Sequence, residues 1–172
     1  MTRRYRPPEL LGEQHKVDGF ACRSVEQTDW LVRHVRQSAS TSTTKVFVVT
    51  EVSSADVVAF YGWCMAQLTP TAAPARARKG AGRYPQPIAL LARLGVHHDH
   101  EGHGLGAALL QDVLTRLVVL SDDIGCRGLV VHCESAEARD FYLYLVPEFV
   151  PSPTDDLHLV LLMKDIRRTL RD

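Results

Sequence analysis

A glycine-rich loop between a buried strand and an apolar helix is the feature that most restricts the fold of this chain. Residues 88–96, IALLARLGV, are almost all apolar, which is typical of a strand buried on both faces. A helix is predicted from about Leu105 to Leu120, because apolar residues repeat there at four-residue spacing. Residues 128–133, GLVVHC, predict a second buried strand. A strand, a helix and a strand in this order predict a parallel pair with a right-handed crossover.

The rest of the chain supplies the elements of a mixed sheet. Residues 45–52 and 57–68 are rich in β-branched and aromatic residues and flank the turn SSAD, which predicts an antiparallel hairpin. The other predicted elements are a short strand at residues 19–22, a helix from Ser24 to about Gln37, a helix from Ser135 to about Leu145 and a strand at residues 157–163. The predicted class is therefore α/β with a mixed sheet, antiparallel first and parallel in the middle, and with helices on both faces.

Length and local composition predict the domain organisation. The 172 residues suffice for one domain with a hydrophobic core and are too few for two ordinary domains. Residues 1–17 are polar and contain two adjacent prolines, which predicts an extended arm. We therefore expect an N-terminal arm at residues 1–17 and a single domain at residues 18–172. Residues 69–87 are rich in Pro, Ala, Gly and basic residues without a period, which predicts a long loop.

Charge and cysteine content limit the partners and the compartment. Lys plus Arg and Asp plus Glu both number 20, so the overall charge gives no reason to expect a nucleic-acid or membrane partner. The 4 cysteines include no Cys-x-x-Cys pair, and the first residues contain no apolar run suited to a signal peptide. No stretch approaches the roughly 20 apolar residues of a membrane-spanning helix. We expect a reduced, cytoplasmic protein without a membrane segment.

Histidines and acids crowd the loop after the central strand and suggest a metal site at first sight. The residues with ligand chemistry are His97, His98, Asp99, His100, Glu101 and His103. Metal ligands usually converge from positions i and i+4 of one helix or from two elements, whereas the glycines here favour an irregular turn. We therefore expect exposed loop histidines and no metal site.

The glycines of the same loop, Gly102, Gly104 and Gly106, indicate an anion-binding site. A loop that leads from a buried strand into a helix points free backbone N–H groups and the positive end of the helix dipole at one spot. Glycine lets a phosphate approach the backbone and tolerates positive φ. The alternative is a tight connection that requires glycine only for steric reasons. The spacing fits neither the dinucleotide-binding fingerprint nor the P-loop.

The order of several motifs resembles the GNAT acetyltransferases. Residues 101–106, EGHGLG, preceded by ARLGV at 92–96, are similar to the Gln/Arg-x-x-Gly-x-Gly/Ala loop with which this superfamily binds the diphosphate of acetyl-CoA. The stretches PIALLARLGV, GHGLGAALLQDVLTR and VVHCESAEARDFY further resemble the TacT-like GNAT toxins of type II toxin–antitoxin modules, from about residue 18 to residue 163. Glu101 departs from the Gln or Arg of the pattern, and Gly95 stands where Ala is more familiar.

The resemblance implies a GNAT fold, acetyl-CoA as the acetyl donor and a set of site residues. It implies that Tyr142 is the general acid that protonates the leaving thiolate, whereas Tyr144 is a weaker candidate. Spacing alone would favour Tyr142 as an ordinary core aromatic. The residues implied for acetyl-CoA binding are Leu94, Gly95, Val96, Glu101, Gly102, His103, Gly104, Leu105, Gly106 and Phe141.

Cys133 is a candidate nucleophile for a mechanism in which the enzyme itself first accepts the acetyl group. It follows His132 at the end of a predicted strand. Adjacent strand residues point to opposite faces, so His132 is poorly placed to activate the thiol. We therefore expect the acetyl group to pass directly to the acceptor amine.

Local charge indicates where an RNA acceptor would bind. No carboxylate lies between Val57 and His98. The cations in this stretch are Arg76, Arg78, Lys79, Arg83 and Arg93, and Arg33 and Arg36 near the end of the first helix extend the set. Taken with the resemblance, these seven are the candidate tRNA-binding residues. A solvated, mobile loop is the alternative.

The resemblance implies an acetyl-CoA-dependent N-acetyltransferase toxin that acetylates the α-amino group of aminoacyl-tRNA and blocks translation. It also implies a cognate ribbon-helix-helix antitoxin and a homodimer. Two alternatives stay open at this point. One is an acetyltransferase that acts on a small amine or a protein amine, and the other is a binding module that has lost catalysis and only senses acetyl-CoA.

Overall fold

A computed structural model describes residues 2–172 and contains a seven-stranded mixed sheet with helices. The strands are β1 (Glu9–Leu10), β2 (Lys45–Thr50), β3 (Val57–Leu68), β4 (Gln86–Val96), β5 (Gly128–His132), β6 (Val150–Ser152) and β7 (Asp155–Leu162), in the sheet order β1-β2-β3-β4-β5-β7-β6. The helices are α1 (Val25–Asp29), α2 (Val35–Ser40), α3 (Ala75–Arg78), α4 (Leu105–Ser121), α5 (Ala136–Leu145) and α6 (Met163–Thr169), with a π-helical turn at Trp30–His34 and a 3-10 turn at His98–His100. The predicted mixed α/β class is confirmed.

The chain divides into two compact units that alternate along the sequence. The first contains the residues up to Cys64 together with Ala92–Asp112, and the second contains Met65–Leu91 together with Val113–Asp172. None of the helices within residues 2–172 combines the length and the apolar character that a bilayer crossing requires.

The first unit is built on the antiparallel strands β1, β2 and β3. Val48 of β2 lies opposite Phe60 of β3 and also opposite Glu9 of β1, which confirms the predicted hairpin and adds two residues from the middle of the N-terminal arm to the sheet edge. The buried core cluster consists of Val17, Phe20, Leu31, Val35, Val46, Val48, Val57 and Phe60. This core stabilises the unit by removing apolar surface from water.

The helical stretch of the first unit begins as the sequence predicts and runs slightly further. The Ser24 hydroxyl accepts a hydrogen bond from the Gln27 amide at 3.1 Å, which is the expected N-cap. The stretch continues through α1, the π turn and α2 to Ser40, beyond the predicted end at Gln37.

The prediction of a strand at residues 19–22 is wrong, because these residues are irregular. The Phe20 amide donates to the Val17 carbonyl at 3.1 Å, which makes a local turn. The Phe20 ring lies edge-on to Phe60 at 5.3 Å between ring centres. The apolar character of this stretch therefore reflects core packing and not strand pairing.

The second unit contains the predicted parallel pair. Leu90 of β4 lies opposite Val130 of β5, and β5 pairs antiparallel with β7 on its other side, where Val131 lies opposite Leu159. β6 and β7 form a hairpin. The core cluster of this unit consists of Leu68, Ala73, Ala77, Ile88, Val130, Val160 and Leu162.

The segment predicted as an irregular loop at residues 69–87 contains the helix α3, so the prediction is wrong over residues 75–78. Arg76 of α3 pairs with Asp165 of α6 at 3.0 Å, and Asp165 also pairs with Arg168 at 2.7 Å. Asp165 is only 1% exposed, so the two guanidinium groups satisfy a buried carboxylate. The ion pair between Arg76 and Asp165 holds α3 in place. Because it joins residues that are distant in sequence, no periodic pattern near α3 predicts the helix.

Gly128→Ala is expected to destabilise the protein. A methyl group at Gly128 would overlap the carbonyl oxygen of Leu161, and β5 cannot shift away because it is paired on both sides. We expect urea denaturation to show a loss of about 3 kcal/mol in the free energy of unfolding. Gly125→Ala is the control, since no atom lies within 4 Å of a Cβ built there. Equal stability of the two variants would contradict this account of β5.

Candidate active site

The glycine loop leads into α4 and presents its backbone to open space. Gly102 and Gly104 have φ values of 79° and 76°, in the left-handed region that side chains other than glycine rarely adopt. No atom lies within 4 Å of a Cβ built at either glycine, so backbone conformation and not crowding requires them. The first helical bond joins the Ala108 amide to the Gly104 carbonyl at 3.0 Å, and the preceding amides, including that of Gly106, have no acceptor within the helix. An exposed helix start of this kind suits a diphosphate.

Leu105 and His103, the other predicted cofactor residues of this loop, have different environments. The Leu105 side chain is 6% exposed, so only its backbone remains available to a ligand. His103 is exposed, and its ring lies 6.0 Å from that of Tyr5 in the N-terminal arm.

The end of β4 contains the three residues expected to bind the thioester arm, Leu94, Gly95 and Val96. Leu94 and Val96 are half-buried, whereas Gly95 is buried. A Cβ at Gly95 would lie 3.0 Å from the Phe60 ring and 3.3 Å from the Cys22 sulfur. A side chain at Gly95 would therefore crowd the Phe60 ring.

Glu101 is paired with a cation that sequence reasoning missed. Its carboxylate accepts two hydrogen bonds from Arg23, from Nε and from Nη2, each at 2.9 Å. The acid that stands at the motif position of Gln or Arg is therefore compensated by a guanidinium 78 positions earlier in the chain. The only sequence signal for Arg23 was Glu101. A carboxylate beside a predicted anion site requires a cation to balance its charge.

His100, immediately before Glu101, is held by the N-terminal arm. Its Nδ1 lies 2.9 Å from the Tyr5 hydroxyl and 3.0 Å from Nη1 of Arg3, which also donates to the Asp99 carbonyl at 2.7 Å. Burial first, and then the charge of Arg3, lower the pKa of His100 below its ordinary value. The ring is therefore neutral at physiological pH and can accept a hydrogen bond from Tyr5.

Three side chains with metal-ligand chemistry come together before the glycine loop. His97, His98 and Asp99 place their ligand atoms within 4.8 Å of one another. Both ring nitrogens of His97 have protein partners, since Nδ1 accepts from the Asp99 amide at 3.1 Å and Nε2 donates to the Gly19 carbonyl at 3.2 Å. Metal binding by His97 would break one of these bonds, so the arrangement favours a structural role in the turn.

Tyr142 lies on α5 in the second unit. The Ser135 hydroxyl caps this helix by accepting from the Ala138 amide at 3.1 Å, as predicted. Tyr142 is 6% exposed. The centre of its ring lies 5.2 Å from that of Phe141 and 6.1 Å from that of Phe149. Burial raises the pKa of the Tyr142 phenol well above its ordinary value. The phenol therefore stays protonated at neutral pH.

The two competing side chains in this region have the wrong environment for catalysis. Tyr144 is 85% exposed, so its phenol lies in solvent, whereas Tyr142 is buried. Burial raises the pKa of the Cys133 thiol to about 11, so it is not a thiolate at neutral pH. His132 is stacked on His158 with ring centres 3.8 Å apart and is exposed, whereas Cys133 is buried.

The seven predicted tRNA-binding cations fall into two groups. Three hold protein partners: Arg36 donates to the carbonyls of Gly12 and His15, Arg76 pairs with Asp165, and Arg93 pairs with Glu26 and stacks on Trp30. The other four side chains, all exposed, are Arg33, Arg78, Lys79 and Arg83. The second group has donors available for a phosphate backbone.

The sequence has close relatives among curated toxins, although no protein-family model matches it. A tRNA-acetylating toxin of Mycobacterium tuberculosis is 34% identical over 168 residues, which is 98% of each chain. A probable toxin TacT of Sinorhizobium fredii is 26% identical over 160 residues, which is 90% of this chain and 88% of that protein.

Solved structures of the toxin AtaT have the same fold. AtaT complexed with acetyl-methionyl-tRNAfMet has a TM-score of 0.87 at 20% identity and covers 96% of this chain and 99% of its own. AtaTR bound with acetyl-CoA has a TM-score of 0.82 at 20% identity, with coverage of 97% and 98%. A mutant AtaT bound to the C-terminus of the antitoxin AtaR has a TM-score of 0.82 at 18% identity, with coverage of 98% and 99%. The fold and the full-length identity to the curated relative agree, and the chain therefore belongs to the tRNA-acetylating toxins, a family with the GNAT acetyltransferase fold.

Proposed function

We propose that this chain transfers the acetyl group of acetyl-CoA to the α-amino group of an aminoacyl-tRNA and thereby blocks translation. The full-length identity to a tRNA-acetylating toxin is the observation that carries this proposal. Acetylation delocalises the nitrogen lone pair into an amide, which no longer attacks the peptidyl ester, so the modified tRNA cannot accept a growing chain. The glycine loop, the buried phenol and the exposed cations each supply a part that this reaction requires.

The first unit contains all but one of the residues proposed to hold acetyl-CoA, which supplies an activated acetyl thioester. The amides at Gly102 and Gly104 and at the start of α4 are proposed to bind the diphosphate. The backbone at Leu94–Val96 is proposed to hold the pantetheine arm and to polarise the acetyl carbonyl. Phe141 and His103 remain proposed contacts, the former from α5 and the latter from the loop.

Tyr142 is the proposed general acid. Its buried, protonated phenol can donate to the sulfur as the thiolate leaves. No side-chain base is required, because an α-amino group titrates near pH 7.7 and is partly neutral at physiological pH. The raised pKa of the Cys133 thiol supports direct transfer to the amine.

The exposed cations are the proposed tRNA contacts. Arg78, Lys79 and Arg83 lie on one short segment of the second unit, and Arg33 lies in the first unit. Arg36, Arg76 and Arg93 would have to share their donors between a protein partner and the RNA, and we propose a secondary role for them.

We also propose a cognate ribbon-helix-helix antitoxin, a homodimeric state and a cytoplasmic location. The antitoxin-bound AtaT of the same fold supports the first proposal. Aminoacyl-tRNA is a cytoplasmic substrate, which supports the last. Incubation of the purified protein with labelled acetyl-CoA and total charged tRNA tests the main proposal, and label on a small amine or a protein but not on the tRNA would overturn it.

Tyr142→Phe is expected to lower kcat by about 100-fold or more, because a positioned general acid contributes at least that factor. Affinity for acetyl-CoA, measured by calorimetry, should stay within about threefold of the wild type, since the ring packing is kept. Tyr144→Phe is the matched control and should leave kcat unchanged, because that phenol is exposed. Full activity of Tyr142→Phe would remove this residue from the mechanism.

The rate is expected to rise with pH as the amine loses its proton and to show no descending limb below about pH 10. The absence of a descending limb follows from Tyr142, because burial raises the pKa of its phenol and the phenol stays protonated at every pH below that pKa. Initial rates on an amide-linked aminoacyl-RNA, which resists hydrolysis, measure this profile. A fall in rate between about pH 8 and pH 9 would show that another acid is used.

Replacing Arg78, Lys79 and Arg83 together by Ala should weaken tRNA binding and reduce the slope of log affinity against log salt by roughly 2 to 3. Acetylation of a small amine should not change, because it involves no phosphate. Arg76→Ala is the contrasting variant, since it leaves the buried Asp165 with one partner fewer and should lower the melting temperature. An unchanged salt slope in the triple variant would exclude these three cations from RNA binding.

A further inference from the structure

We propose that Arg23, held in place by Glu101, is a side-chain ligand of the coenzyme A diphosphate. This inference rests on the proposed acetyl-CoA site and adds to it a residue outside the glycine motif. In this chain the charge that the motif usually supplies from position 101 would come from a different segment.

The geometry of the pair supports this role. Nε and Nη2 of Arg23 each donate to one oxygen of Glu101 at 2.9 Å, which is the parallel, bidentate arrangement that fixes the plane of a guanidinium group. The side chain is 72% exposed beside the loop, whereas Glu101 is 33% exposed. The guanidinium group therefore lies between the carboxylate and the solvent.

The backbone on either side of Arg23 is fixed. The Cys22 amide donates to the Thr28 hydroxyl at 3.0 Å, and Ser24 caps α1. Glu101 is likewise preceded by His100, which the N-terminal arm holds. Two anchored segments thus meet at an exposed ion pair, which places a cation at a defined position next to the glycine loop.

Stability alone gives a weak reason for this arrangement. Exposed ion pairs contribute little to folding, since water screens the charges and two long side chains must be ordered. An unpaired Glu101 next to a bound diphosphate would repel it, whereas the pair removes that repulsion and presents a group suited to phosphate oxygens. Diphosphate binding explains both the acid at position 101 and its partner.

Calorimetry with two ligands tests the inference. Acetyl-CoA carries the diphosphate, and S-acetylpantetheine lacks it. Arg23→Ala should weaken acetyl-CoA binding by about 10- to 100-fold, because one charge-assisted contact is lost and Glu101 becomes unpaired. Binding of S-acetylpantetheine should be unchanged. Arg23→Lys, which keeps the charge but loses the planar fork, should show an intermediate loss for acetyl-CoA.

Glu101 variants separate the two charges. Glu101→Gln should bind acetyl-CoA more weakly than the wild type, because one of the two acceptors that hold Arg23 is lost, but more tightly than Arg23→Ala, because the Arg23 cation remains. The double variant Arg23→Ala, Glu101→Gln should bind more tightly than Arg23→Ala alone, because the repulsive carboxylate is gone. Arg167→Ala breaks an exposed ion pair with Asp122 in the second unit and is the control, with no expected change in affinity.

Wild-type affinity of Arg23→Ala for acetyl-CoA would overturn the inference. An equal loss for S-acetylpantetheine would also overturn it, because the residue would then act on the fold of the loop and not on the diphosphate. Failure of the proposed tRNA acetylation is a separate result, since it is measured by label transfer and leaves these binding ratios unaffected. Thermal melting of each variant identifies any that unfold.

Discussion

The start of α4 is the place on which the proposed chemistry depends. A helix leaves its first amides without acceptors, and here the preceding residues keep that end open to solvent through two glycines with positive φ. A residue with a side chain at Gly102 or Gly104 would disfavour the positive φ, and the loop would then enter the helix in a different direction. The proposed anion site is therefore a property of the main chain, and the charges of the surrounding side chains, Glu101 and Arg23, lie beside it.

Burial determines the chemistry in the second unit. The same exclusion of water that keeps the Tyr142 phenol protonated also keeps the Cys133 thiol protonated. Neither group is ionised at neutral pH, so the phenol keeps the proton that the proposed acid would donate and the thiol is not a thiolate nucleophile. This environment supports the proposed direct transfer over a covalent intermediate.

Much of the fold could be predicted because it depends on local patterns in the sequence. The hairpin, the parallel pair, α4 and the cap at Ser135 all follow from periodicity and from residues adjacent in sequence. The misses have a common cause in tertiary contacts. Phe20 is apolar because it packs on Phe60, and α3 exists in a stretch whose anchor is the buried Asp165.

The same limit applies to the site. The glycine loop was predicted from its spacing and from the resemblance to the family loop, and Tyr142 was predicted from the resemblance alone. Arg23 could not be found this way, because nothing in its own neighbourhood distinguishes it from any other exposed arginine. Likewise, spacing could not separate Arg78 and Arg83, which are exposed, from Arg36, which binds backbone carbonyls.

The basic segment after α3, residues 79–85, is held at both ends by hydrogen bonds. The Gln86 side chain donates to the Ala77 carbonyl at 3.0 Å, and Arg127 donates to the same oxygen at 3.3 Å, so only the few residues between these anchors are free to follow a ligand. A segment so short can touch a few neighbouring phosphates but cannot wrap around a helical stem.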